Sequence, residues 1–173
     1  RYTELVGVAQ NILPQLRSMH KGGKKKPRVR YFEGIEGLIS AYEDTLTSTE
    51  TIRAYASIEN MHRAIVNYFP EYYKRRAGKG IAIRSVHPDT KEARERVIHD
   101  KEEARDSALV PKEEYDFSPE INIYDNKILF MSFVEKFALI IESDELANGF
   151  KKIFELSWQE AKRLDKKIRN NEK

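Results

Sequence analysis

The 173-residue chain has no cysteine. Disulfides and thiol chemistry are therefore excluded, and a reducing cytoplasm fits. No apolar run approaches the roughly 20 residues of a membrane span, and no signal peptide is visible. Histidine is scarce: His20, His62, His87 and His99 are scattered, with no pair at metal-ligand spacing. No metal site and no cofactor are expected. A Gly-x-Ser-x-Gly elbow, a Walker loop and a Gly-x-Gly-x-x-Gly turn are all missing. Gly78-Lys79-Gly80 precedes a strand pattern, so it has no helix N-terminus with which to hold phosphate. Charge of one sign is also lacking. The 31 basic and 28 acidic residues are interspersed and leave a net charge of +3, whereas a dedicated nucleic-acid surface is more lopsided. The one basic cluster, Lys21, Lys24, Lys25, Lys26, Arg28 and Arg30, reads as a solvated linker.

Hydrophobic residues at 40% and charged residues at 34% describe an ordered globular chain. Its length fits one domain plus an appendage. From Tyr2 to Met19, Leu5, Ala9, Ile12 and Leu16 recur near the helical period, with a kink or restart at Pro14. This helix is too short and narrow to stand alone. It needs its own domain or a second copy as partner. Residues 1–27 thus read as a linker or dimerisation helix with a basic linker, and 28–173 as the domain proper. The chain opens on Arg1 inside a helical pattern, so further sequence upstream is expected.

From Arg28 on, strand and helix patterns alternate. Arg28–Phe32 reads as a strand and Ile35, Leu38, Ile39, Tyr42 and Leu46 as a helical face. Thr51–Ala56 is a second strand. Ile58, Met61, Ile65, Tyr68 and Phe69 form a second face, and Pro70 opens a new turn that Gly78 and Gly80 stop. Ile81–Val86 is a third strand. Asp89 is expected to cap a charged helix over Thr90–Arg105, with Glu92 reaching back. Ser107–Ser118 reads as a loop. Then come strands at Glu120–Tyr124, Lys127–Phe133 and Phe137–Glu142, joined by tight turns at Asp125-Asn126 and Glu135-Lys136. Ser143 or Asp144 caps a last helix, which carries the strongest apolar stripe of the chain. The order βαβαβα, then a β-meander and a C-terminal helix, predicts an α/β mixed sheet with helices on both faces.

Candidate site residues follow from strand ends, because ligands of open α/β sheets bind outside the carboxyl ends of strands. Glu33 follows the first strand, Ser57 and Glu59 the second, and His87 the third. They converge on one rim if those three strands are parallel neighbours. Each also has an ordinary reading: a helix cap for Glu33, Ser57 and Glu59, and a satisfied loop histidine for His87.

Several blocks resemble the effector domain of TrmB-like transcription regulators. They are Arg28–Glu33-Gly34, Phe69-Pro70-Glu71-Tyr72 with Arg75-Arg76, Glu120-Ile121-Asn122-Ile123-Tyr124, and Ile140–Ser143 through Phe154–Trp158. The resemblance implies a phospholipase-D-like fold preceded by a linker helix. It also implies an upstream winged helix-turn-helix that holds the DNA contact, and a homodimer through the linker. Known effectors of the family are sugars bound by a C-terminal β-rich portion, which is not evident here. Active phospholipase D relatives use His-x-Lys-x-x-x-x-Asp. With Asp125 as the Asp, Ser118 stands at the His position and Glu120 at the Lys position. A serine without a base does not replace the imidazole nucleophile, and a glutamate repels phosphate. The expectation is a non-enzymatic regulatory domain, with Ser118, Glu120 and Asn122 on the wall of a vestigial pocket. An enzyme with a non-standard residue set and a purely structural dimerisation module are the alternatives.

Overall fold

The computed structural model describes residues 26–170. The expected helix over Tyr2–Met19 and most of the basic linker lie outside them. Twelve elements follow in order: β1 (Arg28–Glu33), α1 (Gly34–Thr45), β2 (Ile52–Tyr55), α2 (Ile58–Ala64), α3 (Phe69–Gly78) and β3 (Ile83–Pro88), then α4 (Lys91–Val97), β4 (Arg105–Val110), β5 (Glu120–Tyr124), β6 (Lys127–Ser132), β7 (Phe137–Glu142) and α5 (Asp144–Asn170).

One seven-stranded mixed sheet carries them, in the order β1-β7-β6-β5-β2-β3-β4. β2, β3 and β4 run parallel, and every other pairing is antiparallel. Helices cover both faces, as the alternation predicts. Ile52 of β2, Ala56 just beyond it, Leu129 of β6 and Ile140 of β7 face the core shared with α1–α4. Val86, Ala108, Ile123 and Ile128 face α5 through Ala147, Phe154, Trp158 and Ala161. The alternation along the inner strands assigns their side chains to one core or the other.

Five expectations are corrected. β1 is not a neighbour of β2: the β5–β7 meander enters the sheet between them, and Arg28–Glu33 pairs antiparallel with β7. The charged helix ends at Val97, and turns carry the chain to Ala104, whose φ is 48°. Arg105–Val110, where the sequence pattern predicts the end of that helix and the start of a loop, is the parallel edge strand β4. Its last four residues are buried, so it lacks the alternation that marks a half-exposed strand. Thr90, not Asp89, caps α4 by accepting from the Ala93 N–H at 3.1 Å, while Asp89 binds Arg94. The apolar face from Ile58 to Phe69 is also split into two helices, because Asn67 takes φ 63°.

The hairpin at Asp125 forms as expected, with φ 47°. Ser143 caps α5, its Oγ accepting from the Leu146 N–H at 3.3 Å. Arg30, read as part of the basic cluster, is held by Asp44 at 2.8 Å and Glu142 at 3.1 Å. Among the described residues no helix is long and apolar enough to cross a membrane.

Candidate functional site

The sheet register builds a polar trough on the α1–α4 face. Asn122, Ala54, Ser85 and Ser107 lie side by side across β5, β2, β3 and β4. The small side chains of Ala54 and Ala56 leave space between Glu120 and Asn122 on one side and Ser85 and His87 on the other. Tyr42 of α1 and Tyr72, Tyr73 and Arg76 of α3 close the trough from above. What remains is a cavity of about 30 Å³, room for about one water.

Glu120 sits at its centre, 3% exposed. The Tyr42 phenol donates to one carboxylate oxygen, and Asn122 Nδ2 donates to the other at 2.6 Å. Burial pushes the Glu120 carboxyl up to about 7, opposed by these two hydrogen bonds. Burial beside Glu120 also raises the Tyr42 phenol well above its ordinary value. His87 is 2% exposed. Its Nδ1 lies 2.7 Å from the Ala56 carbonyl, which only accepts, so Nδ1 carries the proton. Nε2 then accepts from the Ser85 hydroxyl at 2.7 Å. Burial lowers the imidazole to about 4, and the nearby Arg105 and Arg96 act in the same direction.

Arg76 is the largest fully buried side chain in the described residues. It donates to the carbonyls of Ile81 and Glu103, both at 2.5 Å, and so ties the C-terminal end of α3 to the entries of β3 and β4. Arg105 lies over the Tyr73 ring at 4.7 Å and pairs with Glu103 at 2.5 Å.

Of the seven residues singled out in the sequence, His87, Glu120 and Asn122 meet at this cavity. The other four do not line it. Glu33 is exposed at the end of β1, four strand positions from β2, a separation of roughly 19 Å at the usual strand spacing. The predicted convergence of Glu33 with His87 is thereby overturned. Ser57 is buried at the start of α2, where its Oγ accepts from Asn60 Nδ2 at 2.9 Å. Glu59 pairs with Arg63 and, at 3.8 Å, with Lys112. Ser118 lies half-buried in the connection before β5. Tyr42, Tyr72, Tyr73 and Arg76 were missed as site residues. The first three read as ordinary apolar helix positions, and Arg76 follows Tyr72 by four residues, a spacing that places it on the same buried face.

No protein-family model and no curated protein sequence matches the chain. Solved structures do. TrmBL2, an archaeal chromatin protein, aligns with a TM-score of 0.55 at 16% identity. Nuc, a phospholipase D family member from Salmonella typhimurium, gives 0.57 at 13%, and NucT from Helicobacter pylori gives 0.58 at 13%. The fold is phospholipase-D-like. The TrmBL2 alignment covers 92% of this chain and 62% of that one. Nuc and NucT are covered over 95% and 97% of their length, against 78% of this chain.

In this phospholipase-D-like frame the hairpin acid has a structural task. Asp125 Oδ1 accepts from the Thr49 N–H at 3.1 Å and the Thr49 hydroxyl at 2.7 Å, so it anchors the turn before β2. It points to no nucleophile. The position expected for a phosphate-binding lysine is Glu120, locked between Tyr42 and Asn122. Among the described residues no group of His, Asp and Glu side chains is placed to hold a metal ion.

Proposed function

We propose that this chain is the regulatory and dimerisation part of a TrmB-like transcription regulator, built on a phospholipase-D-like domain without phosphodiester chemistry. One observation carries the reading. The position where active relatives are expected to hold a cationic lysine is Glu120, buried in a cluster with Tyr42 and Asn122, and the position expected for the nucleophile is Ser118, outside that cavity. A carboxyl group there opposes phosphate binding in either protonation state: it repels when ionised, and it offers no positive charge when neutral. The likeness to TrmBL2 over 92% of the chain supports the regulator side of the reading.

DNA contact is assigned to a winged helix-turn-helix outside these 173 residues, and homodimerisation to residues 1–27. Any effector acts by favouring one dimer arrangement over another, with His87, Glu120 and Asn122 as the polar groups it would meet. A second reading is a dimerisation module with no ligand. The cavity favours it, because about 30 Å³ is far below the roughly 300–1,000 Å³ of small-molecule sites.

A mobility-shift titration tests the regulator reading. The whole gene product is expected to retard duplex DNA, and residues 1–173 alone are expected not to. Equal retardation by both, or none by the whole product, would overturn it. A thermal-shift screen against sugars, nucleotides and amino acids separates the two versions, since a ligand bound to the native state raises the apparent Tm.

A further inference from the structure

The last helix has a second face that the sheet does not use. α5 buries Ala147, Phe154, Trp158, Ala161 and Asp165 against the sheet. On its flank, Leu146, Gly149, Ile153, Leu156, Glu160 and Arg163 follow one another at intervals of three and four residues, the spacing of a two-helix seam. All six are exposed among the described residues. Leu146 is 43% exposed, Ile153 57% and Leu156 75%. Single exposed apolar residues are ordinary on a protein surface, but three in heptad register on one helix are not.

Gly149 is an independent sign. A glycine inside a helix costs about 1 kcal/mol relative to alanine, and nothing within this fold demands it. A Cβ built at Gly149 meets no atom within 4 Å. A glycine on an exposed seam is explained when another backbone comes close. The same flank borders an apolar groove of about 750 Å³ floored by Tyr55, Val86 and Val110.

We propose that α5 packs against α5 of a second copy of this chain, antiparallel, across a two-fold axis near Ile153 and Leu156. The charge distribution selects this occupant and this direction. The first turn of α5 carries Asp144 and Glu145, and its last turn carries Lys167 and Arg169. An antiparallel pair sets each acidic start beside the basic end of the other copy, with Glu145 opposite Lys166. A parallel pair sets like charges together. Antiparallel packing also opposes the two helix dipoles. In this register Ile153 meets Leu156 of the second copy, and Gly149 faces Glu160. The contact lies within the folded domain. It is separate from residues 1–27 and does not depend on the regulator reading.

The absence of cysteine makes a direct test available in the full 173-residue chain. Exposed single variants Ile153→Cys and Leu156→Cys are expected to form disulfide-linked dimers on mild oxidation. Leu146→Cys alone is expected to stay unlinked, since the two copies of that position lie 17 residues apart along the pair, roughly 25 Å at the helical rise. Mixed with Arg163→Cys protein, it is expected to link. Glu71→Cys, exposed on α3 on the opposite face, serves as the control and stays unlinked. No linkage at 153 or 156 would overturn the contact, as would slow thiol labelling there showing that residues 1–25 cover the flank. Linkage of Leu146→Cys to itself as readily as 153 would overturn the antiparallel geometry, and equal linkage of the control would overturn the specificity.

Discussion

Two buried titratable side chains carry opposite pH signatures in one cavity. The Glu120 carboxyl is held near 7, above the roughly 4.3 of an unfolded chain. The native state therefore binds this proton more tightly, and stability falls as pH rises from about 4.3 to about 7. The His87 imidazole is held near 4, below its ordinary value of about 6.5. Its contribution is complete above about 6.5 and is lost as pH falls towards 4. Each slope is at most on the order of 1.4 kcal/mol per pH unit, and between about 4.3 and 6.5 they oppose each other. Glu120→Gln keeps the shape and removes one of them. Relative to the parent chain, this variant is expected to gain stability progressively from pH 4.3 to 7 and then level off. Urea midpoints across that range read the difference, in which all groups other than Glu120 cancel. Parallel profiles for the two proteins would show that Glu120 is not held as described.

At the scale of elements, β4 ends the sheet, and an edge strand invites pairing with other chains. Here two carboxylates occupy its free N–H groups. Asp100 accepts from the Ser107 N–H at 3.0 Å, and Asp165 of α5 accepts from the Leu109 N–H at 3.0 Å. Asp165→Ala is expected to cost about 1–3 kcal/mol, the price of an orphaned buried donor, and Asp165→Asn much less. The double variant Asp100→Ala, Asp165→Ala is expected to scatter light on mild heating where the parent stays clear. Retained stability and solubility in that variant would contradict the role. β4 was also the element hardest to read from sequence. Ala108–Val110 is a short apolar run buried on both sides, between a charged helix and Pro111, and so has no period to detect. β5–β7 were legible because Asp125-Asn126 fixes the hairpin and a one-sided pattern follows. Strand order was not legible: local periodicity says what each segment becomes, not that the last three strands enter between the first and the second. For the same reason the sequence places Glu33 near His87, although three further strands separate β1 from β2. Glu120 was found through the spacing from Asp125, and its partners Tyr42 and Tyr72 were hidden among core positions.

At the scale of the whole molecule, the sheet separates two surfaces with different fates. On the α1–α4 side, helices carrying Tyr42, Tyr72, Tyr73 and Arg76 close over Glu120, Asn122 and His87, leaving about 30 Å³. On the α5 side a single helix leaves an exposed apolar flank and a groove of about 750 Å³. Under the proposed function, this arrangement suits a part that transmits arrangement rather than one that turns over substrate. The measurement that tests this most directly is hydrolysis of bis-p-nitrophenyl phosphate and of single-stranded DNA by the 173-residue chain, with Glu120→Ala alongside. The account predicts release at the buffer rate for both proteins and both substrates. Sustained hydrolysis by the parent chain that Glu120→Ala abolishes would contradict it.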